Sequence, residues 1–179
     1  MVESNKPMSS IGFKIMKLMF KVRDLLGPRL DVLKEAEIQH GFSVLDFGCG
    51  PGGYIMPLFE LVGPSGKIYA LDIHPLAIRE VKKIAARSGI QNIETIESDC
   101  ITGLPDNSVD AVLLYDVFHD LARPDDVLRE VHRILKAEGT LSFSDHHLKE
   151  EEVLNRVTGG GIFRFVGKGK KTYSFAKAD

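Results

Sequence analysis

A glycine-rich turn between a buried strand and a helix constrains this chain more than any other stretch. Four of the six residues from Gly48 to Gly53 are glycines, and they directly follow a predicted strand, Ser43 to Phe47, that is apolar except for Ser43 and Asp46. Glycine lets the backbone take positive φ values and leaves space for a ligand against the main chain. Because the apolar spacing of a helix begins at Tyr54, the stretch predicts strand, turn and helix, the place where open α/β sheets bind nucleotide-like ligands.

The glycines fit two motifs, a dinucleotide pattern G-x-G-x-x-G that ends at Gly53 and a tighter G-x-G-x-G that ends at Gly52. Asp46 favours the tighter pattern, because a carboxylate two residues before the first glycine suits an ammonium or hydroxyls and repels a pyrophosphate. Pro51 points the same way, since it removes a backbone N–H that a phosphate cradle would use. A turn that only reverses the chain would need fewer glycines and no acid.

Two further predicted strands also end near an acid. The run from Lys67 to Leu71 leads into Asp72, 20 residues after Gly52, a spacing that lets a carboxylate on the neighbouring strand accept both hydroxyls of a ribose. A third strand, Ile93 to Glu97, is followed by Asp99, which could accept a hydrogen bond from an adenine amino group. Alone, Asp99 would indicate a helix cap. After two strand-terminal acids it is better explained as part of the same ligand site.

Apolar strands and helical patterns alternate to the end of the chain, as in an open α/β sheet. The other predicted strands are Val109–Tyr115, Thr140–Ser144, Ile162–Val166 and Thr172–Ala176. The predicted helices are Ser10–Leu26, Asp31–Gln39, Tyr54–Leu61, Leu76–Ser88, Pro124–Leu135 and Leu148–Val157, and residues 1–9 form a polar leader.

Composition limits the kinds of partner. The 179 residues suit one domain and leave no room for a second, substrate-binding domain. With 23 Lys and Arg against 25 Asp and Glu, the chain is nearly neutral, which argues against general nucleic-acid binding. Composition does not exclude specific binding of a structured RNA. Cys49 and Cys100 suggest neither a metal site nor a disulfide framework, and no apolar run approaches a membrane span. We therefore expect a cytoplasmic protein.

The N-terminal helix, Ser10 to Leu26, has an apolar face wider than one core contact needs. Lys14, Lys17, Lys21 and Asp24 share one narrow face, and nearly all other positions are apolar. Three explanations are open: a helix packed on the sheet with leftover apolar surface, a lid over a lipophilic substrate, or a basic amphipathic helix that touches a membrane surface. We favour the first two over membrane contact.

With these residues placed, the chain resembles the class I S-adenosylmethionine-dependent methyltransferases, within them the small-molecule branch that includes the ubiquinone and menaquinone enzymes. The resemblance covers most of the chain from about Gly41 onward. The matching stretches are Val44–Gly52, Asp72, Asp99–Cys100, Leu104–Asp110 and Leu128–Lys136.

This resemblance implies a Rossmann-like three-layer α/β sandwich with a mostly parallel seven-stranded sheet whose last strand pair is antiparallel. It implies S-adenosyl-L-methionine as the cofactor and methyl transfer to a small acceptor by in-line displacement. We divide the chain into an N-terminal helical segment, residues 1–40, and a methyltransferase domain, residues 41–179. The residues expected to bind the cofactor are Asp46, Gly48, Gly50, Gly52, Asp72, Ile73, Asp99, Cys100 and Tyr115.

Two departures from the family pattern concern the turn before the fifth strand and the acceptor pocket. Ala137-Glu138-Gly139 replaces the usual Pro-Gly-Gly, a change that should not touch the site. The chain has no substantial insertion between the fifth strand and the last pair, where relatives often build a substrate cover. We therefore expect the N-terminal helix to act as the lid and the acceptor to be a small, largely apolar molecule.

Methyl transfer needs a base only when the acceptor is a hydroxyl or a protonated amine. We expect such a base among Asp116, His119 and His146, with Asp120, Asp145 and His147 as neighbours of the same chemistry, although any one of them is a plausible polar loop residue. No bound metal is expected. An alternative is a module that binds S-adenosylmethionine without catalysis, or a partner-dependent methyltransferase subunit. A nicotinamide-dependent reductase is disfavoured by Asp46, Asp99 and the missing tyrosine-lysine pattern.

Overall fold

The structure, a computed structural model, describes residues 8–26 and 29–178, with the backbone alone for residues 20–26. Gly27 and Pro28, which in the sequence follow the predicted N-terminal helix and would end it, and most of the predicted leader lie outside the described residues. The strands are β1 (Ser43–Phe47), β2 (Lys67–Asp72), β3 (Ile93–Glu97), β4 (Val109–Tyr115), β5 (Leu135–Ser144), β6 (Phe163–Lys168) and β7 (Tyr173–Lys177). The helices are α1 (Ser10–Leu26), α2 (Arg29–Lys34), α3 (Ile55–Val62), α4 (Pro75–Ser88), α5 (Pro124–Ile134) and α6 (Glu150–Thr158).

The strands form one seven-stranded sheet in the order β3-β2-β1-β4-β5-β7-β6. Strands β1 to β5 run parallel, and β7 is antiparallel to both β5 and β6. The predicted mostly parallel sheet is therefore confirmed. The chain builds outward from β1 toward β3 and then returns to place β4 on the other side of β1, and this reversal leaves a crevice at the carboxyl ends of β1 and β4.

Helices cover both faces of the sheet, because successive strand side chains point to opposite faces. One core cluster joins one face to α2, α3 and α4 and includes Val44, Leu113, Leu33, Leu58 and Val81. The other joins the opposite face to α5 and α6 and includes Leu45, Phe143, Phe175, Val131 and Val153. The two clusters give the predicted three layers and hold the strand ends in fixed positions.

Helix α2 is shorter than predicted. The pattern predicted a helix over Asp31–Gln39, but the helix spans Arg29–Lys34, and Glu37 takes a φ of 52°, a left-handed conformation that ends helices. The Glu35 carboxylate instead accepts hydrogen bonds from the backbone N–H and the hydroxyl of Thr172, at 3.0 and 2.9 Å. A contact distant in the sequence thus decides where the helix stops.

Strand β5 begins earlier than predicted, at Leu135 rather than Thr140. Its pairing with β4 shifts register between Val109 and Ala111, so an irregular stretch joins the two paired parts. The alternation of side chains that marks a strand is interrupted there, which hid the first half of β5 from the sequence pattern.

Helix α1 packs beside α4 at the carboxyl edge of the sheet. Phe13, which is buried, places its ring 4.6 Å from that of His74 between centroids. Lys17 Nζ pairs with a Glu80 carboxylate oxygen at 2.5 Å. Within the described ranges, none of the helices has the length and apolar content needed to cross a membrane.

Candidate functional site

A cavity of about 410 Å³ opens at the carboxyl edge of the sheet, where β1, β2 and β4 end. Its walls are the glycine turn, the residues after β2 and β4, and the inner side of α1. A volume of this size suits a small organic ligand. The predicted site residues that line it are Asp46, Gly48, Gly50, Asp72, Ile73, Asp99, Tyr115 and Asp116.

The glycine turn follows the tighter of the two motifs. Gly48, Gly50 and Gly52 have φ values of 79°, 52° and 84°, whereas Gly53 does not take a positive φ. Gly48 and Gly50 line the cavity. Gly52 does not; a Cβ there would lie 2.8 Å from Ile84 Cδ1 of α4, so this glycine permits the turn to pack against that helix.

Asp46 is a buried acid without a matching hydrogen bond. Asp46 is 2% exposed, and its Oδ2 has no hydrogen-bond partner among the described residues. Burial raises the pKa of Asp46 to about 7, an effect partly offset by the positive charge of Arg29. An unpaired carboxylate oxygen is costly inside a protein. Because Asp46 is one of the residues that line the cavity, the site favours a ligand that brings a positive charge or hydrogen-bond donors.

Asp72 connects the glycine turn to the start of α4. Its Oδ2 accepts a hydrogen bond from the Gly50 N–H, and its Oδ1 accepts one from the His74 N–H, both at 2.8 Å. Burial raises the pKa of Asp72 despite these bonds. Each carboxylate oxygen has a second lone pair, so Asp72 can hold the turn and still accept hydroxyls from the cavity.

Of the two predicted adenine-side residues, Asp99 lines the cavity and Cys100 does not. Asp99 lines the cavity and forms an ion pair with Arg123, with 3.4 Å between Oδ2 and the guanidinium nitrogen. Cys100 does not line it; its side chain is buried and its backbone N–H donates to Ser98 Oγ at 3.2 Å. Its predicted contact with a cofactor remains a prediction.

A cationic corner beside Asp46 was not predicted. Arg29, at the start of α2, lines the cavity and lies over the Tyr54 ring with 4.4 Å from its Cζ to the ring centroid. The Tyr54 ring meets Tyr115 edge-on at 5.2 Å, and the Tyr115 hydroxyl is 2.6 Å from Ser142 Oγ. The sequence holds no motif for Arg29, because its position depends on how α2 packs against α3.

His74 is a second buried group with an unmatched atom. Its Nδ1 accepts the Leu76 N–H at 3.1 Å and so caps α4, which assigns the proton of the neutral ring to Nε2. That Nε2 has no partner among the described residues, and His74 lines the cavity beneath Phe13. His74 thus acts as the entry residue of α4, and the sequence pattern contains no signal for its unpartnered donor.

The inner side of α1 roofs the cavity with apolar side chains. Phe13 and Met16 line it, together with Met8 just before the helix. Helical spacing of three puts Phe13 and Met16 on one side of α1, facing inward. The predicted contact between this helix and the site therefore has a structural basis, and the lid stays a prediction.

Only one of the three predicted catalytic residues reaches the cavity wall. Asp116 lines it and has a φ of 52°, which is unusual for a residue other than glycine and often marks functional sites. The Asp116 Oδ1 lies 2.8 Å from His146 Nδ1. His119 lies behind the wall with its Nδ1 2.9 Å from an Asp145 oxygen, so two histidine-carboxylate pairs stand after β4 and β5.

These pairs also bring metal-ligating atoms together. The side-chain donor atoms of Asp116, Asp145 and His146 lie within 4.8 Å of one another. The rings of His119 and His146 each lie 4.0 Å from that of His147. The cluster has ligand chemistry that suits a divalent cation, so the expectation that the site works without metal remains a prediction.

Comparison with known proteins gives one family. A family model described as a methyltransferase domain matches residues 38–178. The demethylmenaquinone methyltransferase of Geobacillus stearothermophilus is 31% identical over 112 residues, which are 62% of this chain and 48% of that protein. An aklanonic acid methyltransferase of Streptomyces sp. (strain C5) is 38% identical over 102 residues, 52% of this chain and 46% of that protein. The chain thus spans about half the length of the curated relatives it matches.

Solved structures give the same fold. A SAM-dependent methyltransferase from Aquifex aeolicus superposes with a TM-score of 0.80 and 27% identity, covering 97% of this chain and 100% of that one. The [4+2]-cyclase SpnF superposes with a TM-score of 0.67 and 18% identity, covering 83% of this chain and 58% of that one. The second likeness concerns the fold alone, and it illustrates that this fold also occurs in an enzyme named for different chemistry.

Proposed function

We propose a function that starts from the family to which this chain belongs, the methyltransferase-domain family of S-adenosylmethionine-dependent enzymes. The protein transfers a methyl group from S-adenosylmethionine to a small apolar acceptor in the cavity beneath α1. The observation that carries the proposal is Asp46, a buried acid that lines a cavity of about 410 Å³ and whose Oδ2 has no hydrogen-bond partner among the described residues. An ammonium group, such as that of the methionine portion, would match it.

The cavity residues fit this cofactor. Asp46 would hold the ammonium, Arg29 beside it would hold the carboxylate, and Asp72 would accept the ribose hydroxyls with its remaining lone pairs. Ile73 and Asp99 would contact the adenine. The bound cofactor supplies a methyl group already activated on a sulfonium, so positioning provides much of the rate acceleration.

The acceptor would lie against the α1 side of the cavity. Phe13 and Met16 exclude water there, and the near-neutral chain charge supports a small molecule over a nucleic acid. The curated relatives are named for demethylmenaquinone and aklanonic acid, both small organic molecules. Residues 1–40 would act as the substrate lid over the domain formed by residues 41–179.

For an acceptor that must lose a proton, Asp116 would be the base. Its carboxylate lines the cavity, and His146 beside it can take up or release the proton. His119 and Asp145 form a second proton-holding pair, connected to the cavity through Asp120, whose Oδ2 lies 3.5 Å from His119 Nε2. We assign the cytoplasm as the location, in keeping with two cysteines that are both buried and free.

The test is label transfer. The protein is incubated with S-adenosylmethionine carrying an isotopically labelled methyl group and with a metabolite extract, and the small-molecule fraction is analysed by mass spectrometry. A labelled small molecule that is absent with the Asp46→Ala variant is the expected result. Tight cofactor binding with no transfer to any acceptor would contradict enzymatic function and support a binding module instead.

Cofactor affinity should depend on pH through Asp46. Its raised pKa means that the empty protein favours the protonated acid, and this contribution to stability is lost as pH rises from about 4 to about 7. An ammonium ligand favours the charged form. We expect the affinity for S-adenosylhomocysteine to rise by up to about tenfold per pH unit as pH increases toward about 7, and to level off above it. Isothermal titration calorimetry measures this.

The Asp46→Asn variant serves as the control for that pH dependence, because it removes the titrating group while other acids of the cavity, Asp72, Asp99, Asp116 and Asp120, remain. Its affinity should be lower and nearly flat over the same range. An equally steep pH dependence in the variant would show that another of these acids is responsible.

Asp72→Asn should weaken S-adenosylhomocysteine binding by about 2 kcal/mol, roughly thirtyfold, because charge-assisted bonds to the ribose hydroxyls are lost. Asparagine retains one oxygen for the Gly50 N–H, so the fold should persist. Glu97→Ala is the matched control, since Glu97 pairs with Asp72 across β3 and β2 but is exposed and outside the cavity. Equal affinities in folded Asp72→Asn and wild type would reject the ribose assignment.

A further inference from the structure

The outer face of α1, defined here as Ile11, Ile15, Leu18 and Met19, is an exposed aliphatic stripe. These side chains are 73%, 57%, 66% and 65% exposed, respectively. Their spacing places them on one side of the helix. The opposite side is used by the protein itself, since Phe13 is buried and Met16 lines the cavity. The stripe is therefore not leftover core surface turned partly inward; it points away from the fold.

The helix that carries this stripe has an excess of basic residues in its sequence. Helix α1 contains four basic residues, Lys14, Lys17, Lys21 and Arg23, against one acidic residue, Asp24, and residues 8–23 contain no acid at all. The whole chain has two more acidic than basic residues. Lys17 is paired with Glu80 and holds α1 to α4, while Lys14 is exposed. A basic aliphatic helix on a mildly acidic protein concentrates positive charge where the apolar surface is.

We propose that the outer face of α1 docks on the surface of an anionic lipid bilayer. Long aliphatic side chains with basic residues on the same helix are the composition of helices that lie in the membrane interface. Basic side chains can extend along the helix and place their charges at the lipid headgroups. As described in the structure, the helix is not long and apolar enough to cross a membrane, so the proposed contact is peripheral.

A second copy of the chain fits this surface less well. Two copies joined face to face would oppose helices that each carry an excess of positive charge. Four side chains on one convex helix also cover less than the roughly 800 Å² per partner typical of a stable protein interface. A bilayer needs no complementary groove, and its anionic headgroups match the charge of the helix.

Docking would connect the bilayer to the cavity, because the same helix carries the stripe outside and the cavity roof inside. An apolar acceptor dissolved in the bilayer could then reach Phe13 and Met16 without crossing water. This second step rests on the proposed function. The docking itself does not, and it can be measured without cofactor or acceptor.

The test is co-sedimentation of the full chain with vesicles of phosphatidylcholine alone or mixed with phosphatidylglycerol. We expect binding to the mixed vesicles that weakens with added salt, and little binding to phosphatidylcholine alone. The double variant Ile11→Ser/Leu18→Ser should lower the partition coefficient by about a hundredfold, because each buried aliphatic side chain contributes about a factor of ten.

The matched control is Ile101→Ser/Val166→Ser, which removes two side chains that are 74% and 57% exposed elsewhere on the surface. It should bind the mixed vesicles like the wild type. The proposal is overturned if the wild type does not bind them, or if both double variants lose binding equally. It is also overturned if the wild type self-associates instead and only Ile11→Ser/Leu18→Ser prevents this, which would assign the face to a second copy. These measurements do not use label transfer, so a failure of membrane docking and a failure of the proposed function can be told apart.

Discussion

Gly50→Val is expected to weaken S-adenosylhomocysteine binding by more than about a thousandfold, or about 4 kcal/mol. Gly50 lines the cavity, and its N–H donates to Asp72 Oδ2 at 2.8 Å. A valine side chain would enter the space proposed for the amino-acid portion of the cofactor. Its branched Cβ also disfavours the φ of 52° that this position takes. Calorimetry would measure the affinity, and thermal unfolding would show whether the fold persists.

Gly103→Val is the matched control for this backbone strain. Gly103 has a φ of 71°, an added Cβ meets no atom within 4 Å, and the residue lies outside the cavity. We expect a similar loss of stability in the two variants and wild-type affinity in Gly103→Val. Near wild-type affinity in folded Gly50→Val would mean that the turn does not contact the ligand.

Asp116→Asn is expected to lower kcat by about a thousandfold for an acceptor that must lose a proton, because asparagine cannot serve as a base. The affinity for S-adenosylhomocysteine should change little, since Asp46 and Asp72 carry the proposed cofactor contacts. The measurement is kcat with the acceptor found by label transfer, together with the cofactor dissociation constant. Asp125→Asn is the matched control, because it makes the same substitution in the exposed first turn of α5. It should leave both quantities unchanged.

His119→Gln distinguishes the two histidine-carboxylate pairs. If Asp116 is the base, losing His119 should affect kcat much less than losing Asp116. A large loss with His119→Gln combined with normal activity of Asp116→Asn would transfer the base to the His119 and Asp145 pair. Normal activity of both variants would mean that positioning alone suffices for this acceptor.

The part of the cavity that we propose for the cofactor was largely predictable as a cluster of residues, because it depends on strand ends. Asp46, Asp72 and Asp99 lie at or just beyond the ends of three successive predicted strands, and parallel strands bring their carboxyl ends to one edge whatever the rest of the fold does. The tight glycine motif was likewise recognisable from spacing, and its three positive φ values agree with it. Gly52 shows the limit: the pattern indicates that a glycine is needed, but not whether a ligand or α4 requires it.

The acceptor side depended on features that sequence spacing does not contain. His119 and Asp116 both follow β4, yet a short 3-10 turn over Phe118–Asp120 directs His119 behind the wall and leaves Asp116 on it. Arg29 and His74 contribute through the packing of α2 and α1 against their neighbours. Helix contacts of this kind are set by the shapes of two surfaces, so no single stretch of sequence encodes them.

Because the strand order reverses at β1, the two halves of the cavity are built from residues of different strands. The acids proposed to bind the cofactor, Asp46, Asp72 and Asp99, belong to the β1-β2-β3 half, whereas Asp116 and the histidine-carboxylate pairs belong to the β4-β5 half. The wall proposed for the acceptor can therefore change in sequence without altering the groups proposed to bind the methyl donor. A mutant library confined to the inner side of α1 and to the loops after β4 and β5 should change which molecules are methylated. Most of its members should keep the wild-type affinity for S-adenosylmethionine.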